Sequence, residues 1–279
     1  SRSLGPSMHS PAAGARDHRG SRSTQDNLPG KMHLLLLLLP LLPACFLPPR
    51  TQAGQIIGGH EARPHSRPYM AYLNISEQMF YTLCGGFLIR KDFLLTAAHC
   101  QGSSYKIILG AHDIQKKEKT QQVISVSRAI PHPDYNSKNF SNDIMLLKLA
   151  KKVKMTSAVK PLKLPNPRDR VRPGQVCSVA GWGRTSARWK KYPDTLQEVK
   201  LTLLEDEECG SRFRNHYNNA IQLCAGDPND DKASFQGDSG GPLGLHNMDG
   251  VSGRDGTPPR VYTKISSGVP WIKKTMRSH

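Results

Sequence analysis

Between residues 69 and 264 the chain places apolar runs of four to nine residues at close intervals and divides them with glycine, proline and short polar stretches. Runs of that length suit strands, because a helix core needs about 10–12 periodic positions. They fall at 69–73, 85–89, 93–97, 105–109, 123–127 and 144–149, then resume after a proline-rich connector, 161–167, at 176–180, 196–204, 221–225 and 261–264. The pattern predicts an all-β body in two halves, 56–160 and 168–265. With 37% hydrophobic residues, enough apolar surface exists for a sizeable core, and 24 glycines and 21 prolines spread through 279 residues argue against a bundle or coiled coil. Past the last run, Pro270 with Lys273, Lys274 and Arg277 further on reads as a short helix over 270–277.

The longest apolar stretch, 34–47, is interrupted by Pro40 and Pro43 and falls short of the roughly 20 residues of a spanning helix, so no membrane anchor is expected. Met32 opens this segment and Thr51-Gln52-Ala53 closes it in a small-x-small pattern, which reads as a secretory signal peptide over 32–53. Residues 1–31 then form an upstream segment without a role, and 54–55 a dipeptide ahead of the mature chain. The formal charge of +17 falls to about +13 without residues 1–55, which hold six basic and two acidic side chains. Such a charge attracts polyanions without reading their sequence.

Cys45 leaves with the signal peptide, and five cysteines remain. Cys84 with Cys100, and Cys209 with Cys224, can each close a short loop, a link stabilising by about 3 kcal/mol in a chain-entropy account. Cys177 is the odd one. Two sequons, Asn74-Ile75-Ser76 and Asn139-Phe140-Ser141, are glycan acceptors in a secretory compartment.

Three places carry chemistry. His99 ends an apolar run in Leu95-Thr96-Ala97-Ala98-His99-Cys100, and Asp143 introduces one in Ser141-Asn142-Asp143-Ile144. Gly237-Asp238-Ser239-Gly240-Gly241-Pro242 sets a serine among glycines that allow a sharp turn with amide N–H groups aimed at an anion. Together they supply a hydroxyl nucleophile, an imidazole to take its proton and a carboxylate to fix the imidazole tautomer.

These segments, with Ile56-Ile57-Gly58-Gly59 and Ala180-Gly181-Trp182-Gly183, resemble the trypsin/chymotrypsin-like serine proteases over nearly all of 56–279. Ile56-Ile57-Gly58-Gly59-His60-Glu61-Ala62 and Pro64-His65-Ser66-Arg67-Pro68-Tyr69-Met70 are similar to the granzyme subgroup. The resemblance implies a double six-stranded β-barrel, with His99 as general base, Asp143 as its orienter and Ser239 as nucleophile. It implies an oxyanion hole from the N–H groups of Gly237 and Ser239, and an ion pair between the new N-terminus at Ile56 and Asp238. Gly54-Gln55 matches the short granzyme pro-segment, which implies an activating dipeptidyl peptidase. Arg260 stands where an acid-recognising granzyme carries its pocket arginine, and the pocket-base position, Ala233, is uncharged. A guanidinium binds a carboxylate bidentately, so protein substrates with Asp before the scissile bond are expected. Val251-Ser252-Gly253 keeps the Ser and Gly that pair with substrate backbone, without the aromatic residue between them. The family also carries a cysteine after Pro242-Leu243, and Gly244 to Thr257 is shorter here and lacks it.

The same resemblance implies secretion into a cytolytic granule, storage on acidic proteoglycan, a role in killing target cells, and neither cofactor, metal nor specific nucleic acid. A second class fits the charge alone: a catalytically impaired granzyme homologue that acts by binding polyanions.

Overall fold

Alternation of inward and outward side chains builds the first half of the molecule. The computed structural model describes residues 56, 58–77, 80–185, 191–226, 234, 236–244, 250–252 and 259–279. The upstream segment, signal peptide and dipeptide of residues 1–55 lie outside the described residues. A two-residue strand, β1 (His60–Glu61), is followed by β2 (Met70–Glu77), β3 (Phe80–Arg90), β4 (Phe93–Thr96), β5 (Ser104–Leu109), β6 (Gln122–Pro131) and β7 (Met145–Leu149). Strands β2 to β7 close an antiparallel barrel in the order β2-β3-β4-β7-β6-β5. On β2, Ala71, Leu73 and Ile75 point into the barrel while the residues between them are less buried, the period-2 pattern of a half-buried strand. β4 has no polar face: Phe93, Leu94, Leu95 and Thr96 are all buried. The Arg90 guanidinium and Lys148 ammonium cover the Phe93 ring, 4.5 and 4.7 Å from its centroid.

The second half comprises β8 (Val176–Gly181), β9 (Gln197–Leu203), helix α1 (Asp206–Phe213), β10 (Gln222–Gly226), β11 (Pro242–Gly244), β12 (Gly250–Ser252) and β13 (Arg260–Lys264). Its strands run β9-β10-β13-β12-β11-β8, with β8 also pairing β9 to close the ring and β1 added on the far side of β9. Val179, Leu201, Leu223, Leu243 and Tyr262 form its core, with Ile56 and the thiol of Cys177 buried among them. The two disulfides tie turns to barrels: Cys84–Cys100 links β3 to the 3-10 turn after β4, and Cys209–Cys224 links α1 to β10.

Five elements differ from the sequence reading: β1 and α1 fall outside its runs, and β11, β12 and the last helix depart from it as well. β11 and β12 lie in the glycine-rich stretch that shows no apolar run, where three-residue strands are held by neighbours rather than by their own pattern. The last helix, α2 (Ile265–Ser278), begins five residues before Pro270 and carries that proline inside it. Ile265, Gly268, Val269 and Ile272 are buried at helical spacing, and this stripe drives the earlier start. Ile265, Val269 and Ile272 belong to the core of the first barrel, and the Arg90 guanidinium donates to the Met276 carbonyl at 2.9 Å. No described helix is long and apolar enough to cross a membrane.

Candidate active site

The β4–β7 ladder sets Thr96 opposite Met145, so the residues just past β4 meet those just before β7. His99, in the 3-10 turn Ala98–Cys100, therefore lies against Asp143. Its Nδ1 is 2.7 Å from Asp143 Oδ2, and its backbone N–H donates to Oδ1 at 2.9 Å. Asp143 is 1% exposed. A carboxylate only accepts, so Nδ1 carries the proton and Nε2 is left with the lone pair a general base needs. The Phe140 ring stands edge-on to the imidazole, with centroids 6.2 Å apart.

Ser239 comes from the other barrel, and its turn seats on the strands that position His99. The Gly85 N–H on β3 donates to the Ser239 carbonyl at 2.7 Å, and the Cys100 sulfur lies 3.7 Å from the same oxygen. Thr96 Oγ1 donates to the Gly85 carbonyl at 2.8 Å. Gly237 (φ 98°) and Gly240 (φ 83°) take the left-handed conformations that the turn requires, and a Cβ on Gly240 would collide with Thr96 Oγ1. The preceding carboxylate, Asp238, is wholly buried, accepts from the Gly183 N–H at 2.8 Å, and leaves no room for a Cβ on Gly181 or Gly183. Trp182, between those glycines, donates its indole N–H to the His112 carbonyl at 3.1 Å.

The Trypsin family matches residues 56–272. The chain belongs to this family. It is 59% identical over 251 residues to Granzyme B(G,H) of Mus musculus, covering 88% of this chain and all of that one. It is 58% identical over 252 residues to Granzyme B of Homo sapiens, covering 89% of this chain and all of that one. A solved structure titled "Structure of GrC" matches with a TM-score of 0.77 and 51% identity, over 80% of this chain and 100% of that one. The chain is a granzyme-like serine endopeptidase of the trypsin family, and its substrates are proteins.

Ile56 is fully buried in the second core beside Val179, Leu243 and Tyr262. Arg260 opens β13 opposite Ala225 and is 4% exposed. Two residues on, and so on the same face, Tyr262 is fully buried with its hydroxyl 3.0 Å from Ser234 Oγ. Burial pushes that phenol well above its ordinary pKa, so it remains a hydroxyl at physiological pH. Ser252 lies on β12 opposite Tyr262. Ala233 and Gly253 lie outside the described residues. Asn74 sits mid-strand on β2 between Leu83 and Lys106, and the Asn139 side-chain oxygen accepts from the Ser141 N–H at 3.1 Å. Among the described residues no group of three His, Cys, Asp or Glu side chains is arranged to hold a metal.

Sequence reasoning missed Phe140, Thr96, Gly85, Ser234 and Tyr262 as parts of this neighbourhood. Tyr262 was within reach of it, since strand periodicity puts 262 on the face of 260.

Proposed function

We propose that the mature chain, 56–279, cuts peptide bonds after Asp, with Ser239, His99 and Asp143 as its catalytic residues. The His99–Asp143 pair, its carboxylate buried, together with a serine turn hydrogen-bonded to β3 of the same barrel, is the observation that carries this reading. Ser239 Oγ attacks the carbonyl carbon as its proton passes to His99 Nε2, and the oxyanion takes hydrogen bonds from the N–H groups of Gly237 and Ser239. Each such donor is worth roughly 3–4 kcal/mol in the transition state. Collapse breaks the C–N bond, Nε2 returns the proton to the leaving amine, and water then repeats the sequence on the acyl-enzyme. Asp143 holds the tautomer and stabilises the imidazolium throughout.

Arg260 is the group we assign to the acidic substrate side chain, with Ala233 at the pocket base and Ser252 and Gly253 aligning the substrate backbone. We assign activation to removal of Gly54-Gln55 by a dipeptidyl peptidase after signal cleavage at Ala53. The ammonium released at Ile56 then pairs with the buried carboxylate of Asp238. Secretion into a cytolytic granule, storage there on acidic proteoglycan, glycans on Asn74 and Asn139, and a part in lymphocyte killing of target cells complete the proposal. Relatives bearing granzyme names support it. The polyanion-binding alternative explains the charge but leaves the His99–Asp143 arrangement without a purpose.

The test uses chains beginning at Ile56 or at Gly54 on peptides that differ only in the residue before the cut. The Ile56 chain should cleave the Asp peptide, and the Gly54 chain should be far slower; equal rates would exclude the activation scheme. Arg260→Gly should lose Asp cleavage by roughly 10²–10³-fold, as expected when one partner of a buried ion pair is removed. If Arg260→Gly cut the Asp peptide as well as its parent, the pocket assignment would fail while acylation of Ser239 by a phosphonate still reported on the triad.

A further inference from the structure

A polar cavity of about 490 Å³ lies between the loop that carries Asn139 and the segment running from α1 to β10. That volume is within the roughly 300–1,000 Å³ of ligand-sized sites. Asn139 and Ser141 line one side, and Asp206, Gly210, Tyr217 and Gln222 line the other. We propose that this cavity seats the first sugars of an N-glycan carried by Asn139.

The lining is mostly amides and hydroxyls, with one carboxylate, Asp206, one imidazole, His216, and no lysine or arginine, which suits a ligand rich in hydroxyl and acetamide groups. Its walls are already fixed. The Tyr217 hydroxyl donates to the Asp206 carboxylate, and burial, reinforced by that carboxylate, drives the phenol far above its usual pKa, so it stays a donor. Gln222 Oε1 accepts from the Asn218 N–H at 2.8 Å, and its Nε2 donates to the Phe140 carbonyl at 3.4 Å. On the opposite wall the Asn139 oxygen is engaged by the Ser141 N–H, which turns the amide nitrogen, the atom that takes the sugar, away from that bond. Attachment exchanges one hydrogen of Nδ2 for the sugar C1, with a lipid-linked sugar diphosphate as donor, its diphosphate as leaving group and the proton lost to solvent.

A seated glycan would brace a loop that has need of it. Phe140 (φ 56°) and Asn142 (φ 54°) both hold left-handed conformations that side chains disfavour, and Asp143 follows immediately. Gly210 offers a way to evict the sugar. A Cβ built on Gly210 meets nothing within 4 Å, so a longer side chain there enters the cavity without a clash, and in a helix it should not destabilise.

The experiment expresses the full chain in glycosylating cells and follows release of the Asn139 glycan by a peptide N-glycosidase, read by mass of the 139-containing peptide. Release from the native protein should be at least tenfold slower than from the denatured one, and Gly210→Gln should restore the denatured rate with an unchanged or higher Tm. An unmodified Asn139, or equal native and denatured rates, would overturn the proposal. So would protection that survives Gly210→Gln, or a Gly210→Gln variant that changes KM for peptides differing upstream of the cut while protection is retained, since the cavity would then belong to substrate.

Discussion

The two barrels are built to different standards. In the first, β2, β3 and β6 run for 8, 11 and 10 residues, and each pairs with a neighbour on both sides. In the second, β11 and β12 have three residues each. His99 and Asp143 stand at the ends of buried strands of the first barrel, while Ser239 and Arg260 stand on a turn and a strand end of the second. The proposed acid–base pair is therefore held by continuous structure, whereas the residues proposed to align substrate lie on segments with few ladder bonds, which open at lower free energy. Chemistry and alignment should fail separately.

The harshest way to test that separation is Asp143→Asn. An amide would hold His99 in the wrong tautomer, and kcat should fall about 10⁴-fold with melting behaviour little changed. A loss below tenfold would mean that the pair does not set the rate. Next comes a matched pair of core truncations, Leu95→Ala in the first barrel and Leu243→Ala in the second. Each should lower stability by about 2–5 kcal/mol. Hydrogen exchange should show global loosening for Leu95→Ala but loosening confined to β8, β11, β12 and β13 for Leu243→Ala; identical patterns would show one cooperative unit. A smaller gain is expected from lengthening the chain after Gly244 and adding a cysteine. Gly244 pairs with Ser178, so a cysteine engineered to continue β11 in that register would meet Cys177, and a disulfide formed there should stabilise the second barrel by about 2–4 kcal/mol in denaturant unfolding.

The smallest effect concerns the first barrel alone. Burial by itself would raise the Asp92 carboxyl, but hydrogen bonds from Arg90 and Lys148, at 2.6 and 2.7 Å, outweigh it and hold the pKa below the usual carboxylate range. A depressed folded pKa contributes stability above the unfolded value, and that contribution disappears as pH falls through the folded one. Asp92→Asn should thus lower stability by about 1 kcal/mol or less at neutral pH. The gap between parent and variant, followed by denaturant unfolding, should close below pH of about 4.

Buried stretches of strand were legible as apolar runs, which is why β2 to β10 and β13 were each found, but the exposed start of β3 and the half-buried end of β6 lie four to five residues outside their runs. β11 and β12 were not found, since glycine-rich triplets have no periodicity and gain their shape from partners far along the chain. Pro270 misled because it marks helix starts on average, while the buried stripe from Ile265 to Ile272 outweighed that preference here. His99, Asp143 and Ser239 were legible because each sits in a local motif. The clamp from Gly85 to Ser239, the Phe140 ring on His99 and the glycine cradle around Asp238 depend on tertiary approach, which no local pattern records.

Helix α2 lies after every strand of the second barrel, yet its apolar stripe fills the core of the first. Synthesis runs from the N-terminus, and domains usually fold in the order they emerge. Here the half made first is the half finished last. The six strands that carry His99 and Asp143 must wait, with their Ile265, Val269 and Ile272 contacts missing, while the whole of the other barrel is translated. A nascent chain halted before Ile265 should present an exposed apolar seam to chaperones, so the strands around His99 and Asp143 should mature only after the Ser239 turn has been made.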